Sequence, residues 1–140
     1  MGSFLLVGGS SDIAIILTKM LVDKGNKVTM VVRDESRVSD FPKEMVERFV
    51  GDANDESLVL EAVQSCLSSG GGTMDGVAHL VGSFSVRPPH AMNRESFEEV
   101  LSTNLTSAFV TLSVACKQML RTVLSGPTTC SGLTLGVWAL

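Results

Sequence analysis

A short apolar run that stops at two glycines and leads straight into helix-start residues constrains this chain most. Residues 3–7 (SFLLV) carry no charge, glycines occupy 8–9, and residues 10–12 read SSD. Such a run is typical of a strand buried on both faces of a parallel sheet, and small oxygen-bearing side chains cap helix N-termini. Five apolar residues then recur at helical spacing and are expected to face the core: Ile13, Ile16, Leu17, Met20 and Leu21. The pattern predicts a strand, a tight turn and a helix.

Strand-like and helix-like segments alternate along the rest of the chain. Strands are predicted over residues 27–32, 45–50 and 77–81, and a long helix over 95–121. The alternation predicts a three-layer, Rossmann-like α/β fold, with a mainly parallel sheet in the order 3-2-1-4 and helices on both faces. We expect residues 1–121 to form this portion. Residues 122–140 read as an atypical tail, whose apolar end either adds a strand or covers the sheet edge.

Charge and cysteine usage narrow the functional classes. The net charge of −4 argues against a nucleic-acid partner, which requires a basic face. No apolar run reaches the roughly 18 residues that span a bilayer, and the start of the chain lacks a secretory signal, so no membrane partner is expected. The three cysteines and two histidines are scattered. They fit neither a disulfide framework nor a metal site, which favours a reducing, cytoplasmic location without a bound metal.

The turn after the first strand is the candidate anion site. A helix N-terminus presents amide groups and a partial positive charge, and glycine lets the backbone approach a phosphate closely. Residues 7–14 (VGGSSDIA) resemble the T-G-x-x-x-G-x-G turn of the short-chain dehydrogenases/reductases. In this resemblance Gly8 matches the first glycine, while Asp12 and Ala14 stand at the second and third. A second interpretation is a glycine-rich turn that binds nothing.

Asp12 is the main departure from the family pattern. A carboxylate repels bound phosphates unless it points away and serves the helix dipole. With that condition, the resemblance assigns cofactor contacts to five residues of the turn: Gly8, Ser10, Ser11, Asp12 and Ile13.

The end of the second strand bears on the choice of dinucleotide. An acid there holds the ribose 2′-hydroxyl of NAD, whereas an arginine accommodates the 2′-phosphate of NADP. Val32 stands where the acid would be, and Arg33 follows it. The resemblance with this contrast predicts NADP(H) rather than NAD(H). The other interpretation is that Arg33 is a solvated turn residue, either unpaired or paired with Asp34 or Glu35.

Two further strand ends resemble family motifs. Asp52, followed by Ala53, is similar to the family's adenine-binding aspartate, or it is a turn acid; Asp55 is predicted to cap the next helix. Residues 79–82 (HLVG) are in register with the family's N-N-A-G motif, in which only Gly82 matches. The resemblance implies that the backbone at Val81 and Gly82 wraps the adenine ribose. His79 either replaces the family's asparagine or is structural.

Asn104 interrupts an otherwise apolar stripe on the long helix: Phe97, Val100, Leu101, Leu105, Ala108, Phe109, Leu112, Cys116 and Met119. A buried amide without partners costs about 1–3 kcal/mol. The resemblance identifies Asn104 as the catalytic asparagine, which bends the helix and holds a water of the proton relay. The alternative is a core asparagine bonded to a neighbouring carbonyl. By analogy with the family, residues 95–120 are also a possible surface for a homo-oligomer.

The resemblance stops before the family's catalytic Ser, Tyr and Lys. Those relatives transfer hydride between a nicotinamide and a carbonyl or alcohol carbon, with the tyrosine as general acid/base. This sequence contains no tyrosine. We therefore expect an incomplete, inactive oxidoreductase domain arising by truncation, splicing or a frame change, a hypothesis that the intact mass of the natural product tests. The alternative is a non-catalytic dinucleotide-binding or partner-subunit module.

Overall fold

The computed structural model describes residues 1–125 and 136–137. Five parallel strands form its sheet in the order β3-β2-β1-β4-β5. They are β1 (Ser3–Val7), β2 (Lys27–Val32), β3 (Val46–Val50), β4 (Gly76–His79) and β5 (Gly136–Val137). The predicted order 3-2-1-4 is confirmed. The added β5 lies in the tail, which therefore contributes a strand, while residues 126–135 and 138–140 of that tail lie outside the described residues.

The fourth strand ends two residues earlier than predicted. After β4, the amide of Leu80 still donates to the carbonyl oxygen of Val7 at 2.7 Å. The chain then leaves the sheet, because residues 81–88 have no regular structure. Val81 and Gly82 consequently lie in a loop at the carboxyl end of the sheet rather than in the strand itself.

Helices cover both faces of the sheet. They are α1 (Asp12–Asp23), α2 (Glu56–Ser69), α3 (Arg94–Leu101) and α4 (Ser107–Ser125). A π-helical turn, Ser102–Thr106, joins α3 to α4. The long helix predicted over 95–121 is therefore present as a continuous helical segment, which this turn divides in two. Short 3₁₀ turns occupy Glu35–Val38 and Pro89–Ala91. Among the described residues, no helix combines the length and apolarity needed to cross a membrane.

Two apolar clusters divide the core, one on each face of the sheet. Successive strand residues point to opposite faces, so Leu6 packs with Val28 and Met30 under α1, while Leu5 and Val7 pack under α2 and α4. Four of the five residues of β1 are buried, and Phe4 is partly exposed. This two-sided burial explains why β1 and β2 read as continuous apolar runs.

The buried face of α1 is narrower than the sequence predicts. Ala14 and Thr18 are fully buried, whereas Ile16 and Met20 are 62% and 54% exposed. The Thr18 hydroxyl is satisfied because it donates to the carbonyl oxygen of Ala14 at 2.7 Å. Small side chains let the helix approach the sheet closely. Leu17 and Leu21 of the predicted stripe pack against the core, whereas Ile13, Ile16 and Met20 lie on the outer side.

Most of the stripe predicted for the long helix does not face the core. Over residues 107–121, the part of α4 whose burial the structure describes, Ser107, Thr111, Val114 and Ala115 are buried and Phe109 is 68% exposed. Met119 of the predicted stripe packs against the core. The buried serine and threonine find partners on β4, described below. Their small size allows close packing that periodicity of large apolar residues does not reveal.

Candidate functional site

A cleft opens at the carboxyl ends of β1, β2 and β4, where the order of the strands reverses: β2 and β3 lie on one side of β1, and the next strand, β4, lies on its other side. Parallel α/β sheets bind ligands at such topological switch points. The cleft has a volume of about 330 Å³, at the lower end of the range for small-molecule sites. Its walls are formed by Gly8, Ser10, Ser11, Val31, Arg33, Arg37, Gly51, Ala53, Leu80, Val81, Gly82, Ser83, Glu99 and Thr103.

The turn after β1 is fixed between the two neighbouring strands. The amides of Gly8 and Gly9 both donate to the carbonyl oxygen of Val31 at 3.0 Å. Gly8 has a φ of +89°, and a Cβ there would lie 2.8 Å from Leu80 C and from Val81 N. Only glycine fits both the backbone conformation and the space. The turn therefore holds the start of α1 against the loop after β4.

The start of α1 places a helix N-terminus beside the cleft. Ser11 is the N-cap, and its Oγ accepts a hydrogen bond from the amide of Ala14 at 3.2 Å. Ser10 and Ser11 both line the cleft, and helix N-termini favour negative charge. Ile13 lies one residue into the helix and is not among the residues that line the cleft. Its proposed cofactor contact stays a prediction.

Asp12 is paired with an arginine that the sequence analysis did not single out. Its Oδ1 accepts from Arg37 Nη2 at 2.5 Å, and Arg37 Nη1 donates to the carbonyl oxygen of Ser10 at 2.8 Å. Asp12 is absent from the cleft wall, whereas Arg37 is part of it. The Asp12 carboxylate is thus bonded to Arg37 and does not form part of the cleft wall. This agrees with the condition, given above, that it should point away from a bound phosphate.

Arg37 lies in the 3₁₀ turn that follows β2. Asp34 is the N-cap of this turn, and its Oδ1 accepts from the amide of Ser36 at 2.9 Å. Hydrogen bonds from Ser36 lower the pKa of the Asp34 carboxyl group. The sequence signal for this turn is a capping aspartate, Asp34, three residues before Arg37. The turn brings Arg37 to the residues that follow β1.

Arg33 follows β2 directly and lines the cleft with an exposed side chain. Within the part of the chain that the structure describes, it forms no ion pair. Pairing with Asp34 or Glu35 is not found, while the exposed side chain still fits the alternative of a solvated turn residue. Val32 is 1% exposed and belongs to the core under α1.

The residues that follow β3 make different contacts. Ala53 is buried and lines the cleft. Asp52 is exposed, and its Oδ1 accepts from the amide of Asn54 at 2.8 Å. Asp55 caps α2 by accepting from the amides at positions 57 and 58, which confirms the predicted cap. The adenine contact of Asp52 stays a prediction.

His79 is buried between β4 and α4 and does not line the cleft, although Val81 and Gly82 do. Its Nδ1 lies 3.0 Å from Thr111 Oγ1 and its Nε2 lies 3.1 Å from Ser107 Oγ. The Ser107 hydroxyl donates to the carbonyl oxygen of Thr103, so it accepts from His79 Nε2–H, and Nδ1 is left to accept from Thr111. Burial lowers the pKa of His79. This network supports the structural interpretation of His79.

Asn104 lies in the π-helical turn and joins it to the loop after β4. Its Oδ1 accepts from the Ser83 amide at 3.0 Å, and its Nδ2 donates to the carbonyl oxygens of Ser83 at 2.7 Å and Val100 at 2.8 Å. The amide is thus bonded to neighbouring backbone groups, as the alternative interpretation expected. π-Helical turns often lie at functional sites. The catalytic role of Asn104 stays a prediction.

Comparison with known proteins gives a consistent match. The family model of the short chain dehydrogenases matches residues 3–126. A curated relative, the ipsdienol dehydrogenase of Ips pini, is 33% identical over 81 residues, which are 58% of this chain and 31% of the relative.

Solved structures share the fold. A short-chain type dehydrogenase/reductase from Mycobacterium ulcerans matches with a TM-score of 0.76 at 22% identity, covering 86% of this chain and 47% of that one. A short-chain dehydrogenase/reductase from Saccharomyces cerevisiae matches with a TM-score of 0.76 at 21% identity, covering 87% and 50% respectively. The chain therefore spans about half the length of these structures and about a third of the curated relative.

Proposed function

The chain belongs to the short-chain dehydrogenase family, and from this premise we propose that it binds NADP(H), in preference to NAD(H), in the cleft at the carboxyl ends of β1, β2 and β4. The observation that carries the preference is Arg33, whose side chain lines the cleft without an ion pair among the described residues. A guanidinium offers a fork of donors that matches a phosphate. Val32, being buried in the core, leaves no acid for a ribose 2′-hydroxyl.

The groups around the cleft support a phosphate-bearing ligand. Gly8, Ser10 and Ser11 would hold the pyrophosphate at the start of α1, with Asp12 and Ile13 following in the same turn. We assign the adenosine portion to four residues that follow β3 and β4: Asp52, Ala53, Val81 and Gly82. The last three of these line the cleft. These assignments make residues 1–121 the dinucleotide-binding portion.

We further propose that the 140-residue chain binds the cofactor without turning over a carbonyl or alcohol substrate. When bound, the nicotinamide supplies the hydride that family members transfer. The sequence contains no tyrosine to act as their general acid/base, and removing such a group costs typically 10²- to 10⁴-fold in rate. Asn104 would keep its positioning role at the π-helical turn. The alternative is a non-catalytic dinucleotide-binding or partner-subunit module, which the same lack of a tyrosine allows.

Calorimetric titration of the purified chain with NADPH and with NADH tests the cofactor proposal. We expect NADPH to bind more tightly, and Arg33→Ala to reduce its affinity about tenfold or more while NADH affinity stays within about twofold, since one charged hydrogen bond contributes roughly 1.5–3 kcal/mol. Arg94→Ala is the matched control, because Arg94 is an exposed arginine paired with Glu98 away from the cleft.

Three results would contradict the proposal in different ways. Absence of binding by either nucleotide, in a sample that unfolds cooperatively, would reject a dinucleotide site. Equal losses of NADPH and NADH affinity in Arg33→Ala would reject the 2′-phosphate contact. Measurable alcohol or ketone turnover by the 140-residue chain would reject the non-catalytic role.

We also propose a cytoplasmic location and self-association through residues 95–120. Scattered, unpaired cysteines support the first, since Cys66 and Cys116 are free. Exposed apolar side chains on the long helix support the second: Phe97, Leu101, Leu105 and Phe109. Sedimentation analysis should show an oligomer that Phe109→Glu dissociates and that Ile16→Glu, an equally exposed site on α1, does not. A monomeric wild type would reject the second proposal.

A further inference from the structure

The ion pair between Asp12 and Arg37 explains how the turn after β1 can contain a carboxylate beside the cleft. Asp12 is the first residue of α1, the helix whose N-terminus faces the cleft. Both side chains are exposed, Asp12 by 83% and Arg37 by 51%, so neither is held in place by core packing. We propose that Arg37 is the counter-ion of Asp12, and that this pairing is what lets the turn accept a pyrophosphate. The proposal rests on the proposed dinucleotide function.

The geometry of Arg37 shows which groups it serves. Its Nη2 contacts Asp12 Oδ1 at 2.5 Å, and its Nη1 contacts the Ser10 carbonyl oxygen at 2.8 Å. The guanidinium therefore bridges two residues of the same turn. Both terminal nitrogens are already engaged by protein acceptors, whereas Arg33 has no ion pair in the described part of the chain. This contrast assigns the ligand 2′-phosphate to Arg33 and the support of the turn to Arg37.

The electrostatic consequence follows from the position of the carboxylate. An uncompensated negative charge in the first turn of α1 opposes the field that draws an anion to the helix N-terminus. Pairing with Arg37 cancels that charge and orients Oδ1 towards the 3₁₀ turn. Because pyrophosphate is common to both dinucleotides, loss of Arg37 should weaken the binding of NADPH and NADH alike. Loss of Arg33 should weaken the binding of NADPH alone.

A double-mutant cycle tests the proposal with binding affinity as its readout. The variants are Arg37→Ala, Asp12→Asn and the double variant, each titrated with NADPH and NADH at low and at high ionic strength. We expect Arg37→Ala to weaken both ligands by about tenfold at low salt, the scale of one unit charge near a phosphate at an exposed site. The double variant should recover affinity to within about threefold of wild type, and added salt should shrink the effect.

Two controls separate charge from shape and from folding. Arg37→Lys keeps the charge but loses the forked donor, so it should retain most of the affinity if neutralisation is what matters. Arg94→Ala removes an exposed, paired arginine elsewhere and should change neither affinity. Thermal unfolding of each variant verifies that it folds, as expected for substitutions of exposed side chains.

The outcomes distinguish this inference from the function on which it rests. A wild type that binds neither nucleotide overturns the proposed function and this inference with it. A wild type that binds, combined with losses that the double variant does not recover, overturns only the counter-ion role. A loss confined to NADPH in Arg37→Ala also overturns it, because that pattern indicates direct contact with the 2′-phosphate.

Discussion

The buried imidazole of His79 should make the free energy of unfolding fall as the pH is lowered from about 7.5 to 5.5. Its Nε2–H donates to Ser107, and its Nδ1 accepts from Thr111. Protonation of Nδ1 would remove that acceptor and place a charge in a site where the side chain is almost fully buried. The folded state therefore holds the neutral imidazole.

The size of the effect follows from proton linkage. An unfolded histidine has a pKa of about 6.5, and burial lowers the pKa of His79 in the folded chain. Between these two values the unfolded chain binds a proton that the folded chain does not. The stability contribution is thus complete above about pH 6.5 and is lost as the pH falls towards the folded pKa. One proton gives a limiting slope of about 1.4 kcal/mol per pH unit.

Urea unfolding followed by far-ultraviolet circular dichroism at several pH values measures this slope. His79→Gln keeps a donor and an acceptor for the two hydroxyls but does not titrate, so the slope between about pH 6.5 and 5.5 should be smaller than in the wild type. His90→Gln is the matched control, since His90 is exposed in the loop after β4, and it should retain the wild-type slope. An unchanged slope in His79→Gln would refute the assignment of the pH dependence to this imidazole.

Other substitutions test backbone strain, steric packing, side-chain hydrogen bonding and helix capping around the site. Gly72→Ala introduces strain at a φ of +94° in open space and should cost about 1–3 kcal/mol of unfolding free energy. Gly8→Ala adds a 2.8 Å clash and should cost about 2 kcal/mol more; equal losses would contradict the packing argument. Asn104→Leu should lose about 1–3 kcal/mol and speed hydrogen exchange of the Ser83 amide, and unchanged exchange would count against the tether. Asp55→Ala should cost about 1 kcal/mol as a lost cap without changing NADPH affinity, which titration checks.

The sheet and its turns could be predicted from the sequence because their signals lie in neighbouring residues. The runs over β1 and β2 are apolar because both faces of a central parallel strand are covered. The caps at Ser11 and Asp55 satisfy amides within three residues, so their signal is contained in the adjacent sequence. Right-handed crossovers then leave few strand orders for such alternation. The observed order, with β3, β2, β1 and β4 adjacent, follows from these rules.

Tertiary packing decided which side chains meet. Arg37 pairs with Asp12 across 25 residues, and His79 reaches Ser107 and Thr111 across 28 and 32. Such contacts depend on how closely and at what rotation a helix lies on the sheet. Hydrophobic periodicity records which residues are apolar, but close approach selects small ones. That is why the structure buries Ala14 and leaves Ile16 outside.

The π-helical turn is a second case in which hydrophobic periodicity does not identify the buried face of a helix. An i→i+5 turn rotates the residues that follow it relative to a regular helix, so a period of 3.6 carried through Ser102–Thr106 assigns the wrong face to α4. The turn coincides with the hydrogen bonds of Asn104 to Ser83, 21 residues earlier. The sequence by itself determined the strands, the glycine turn after β1 and the family pattern. Only the folded chain decided the inner face of α4 and the ion pair of Asp12 with Arg37, because both depend on contacts between segments that are distant in the sequence.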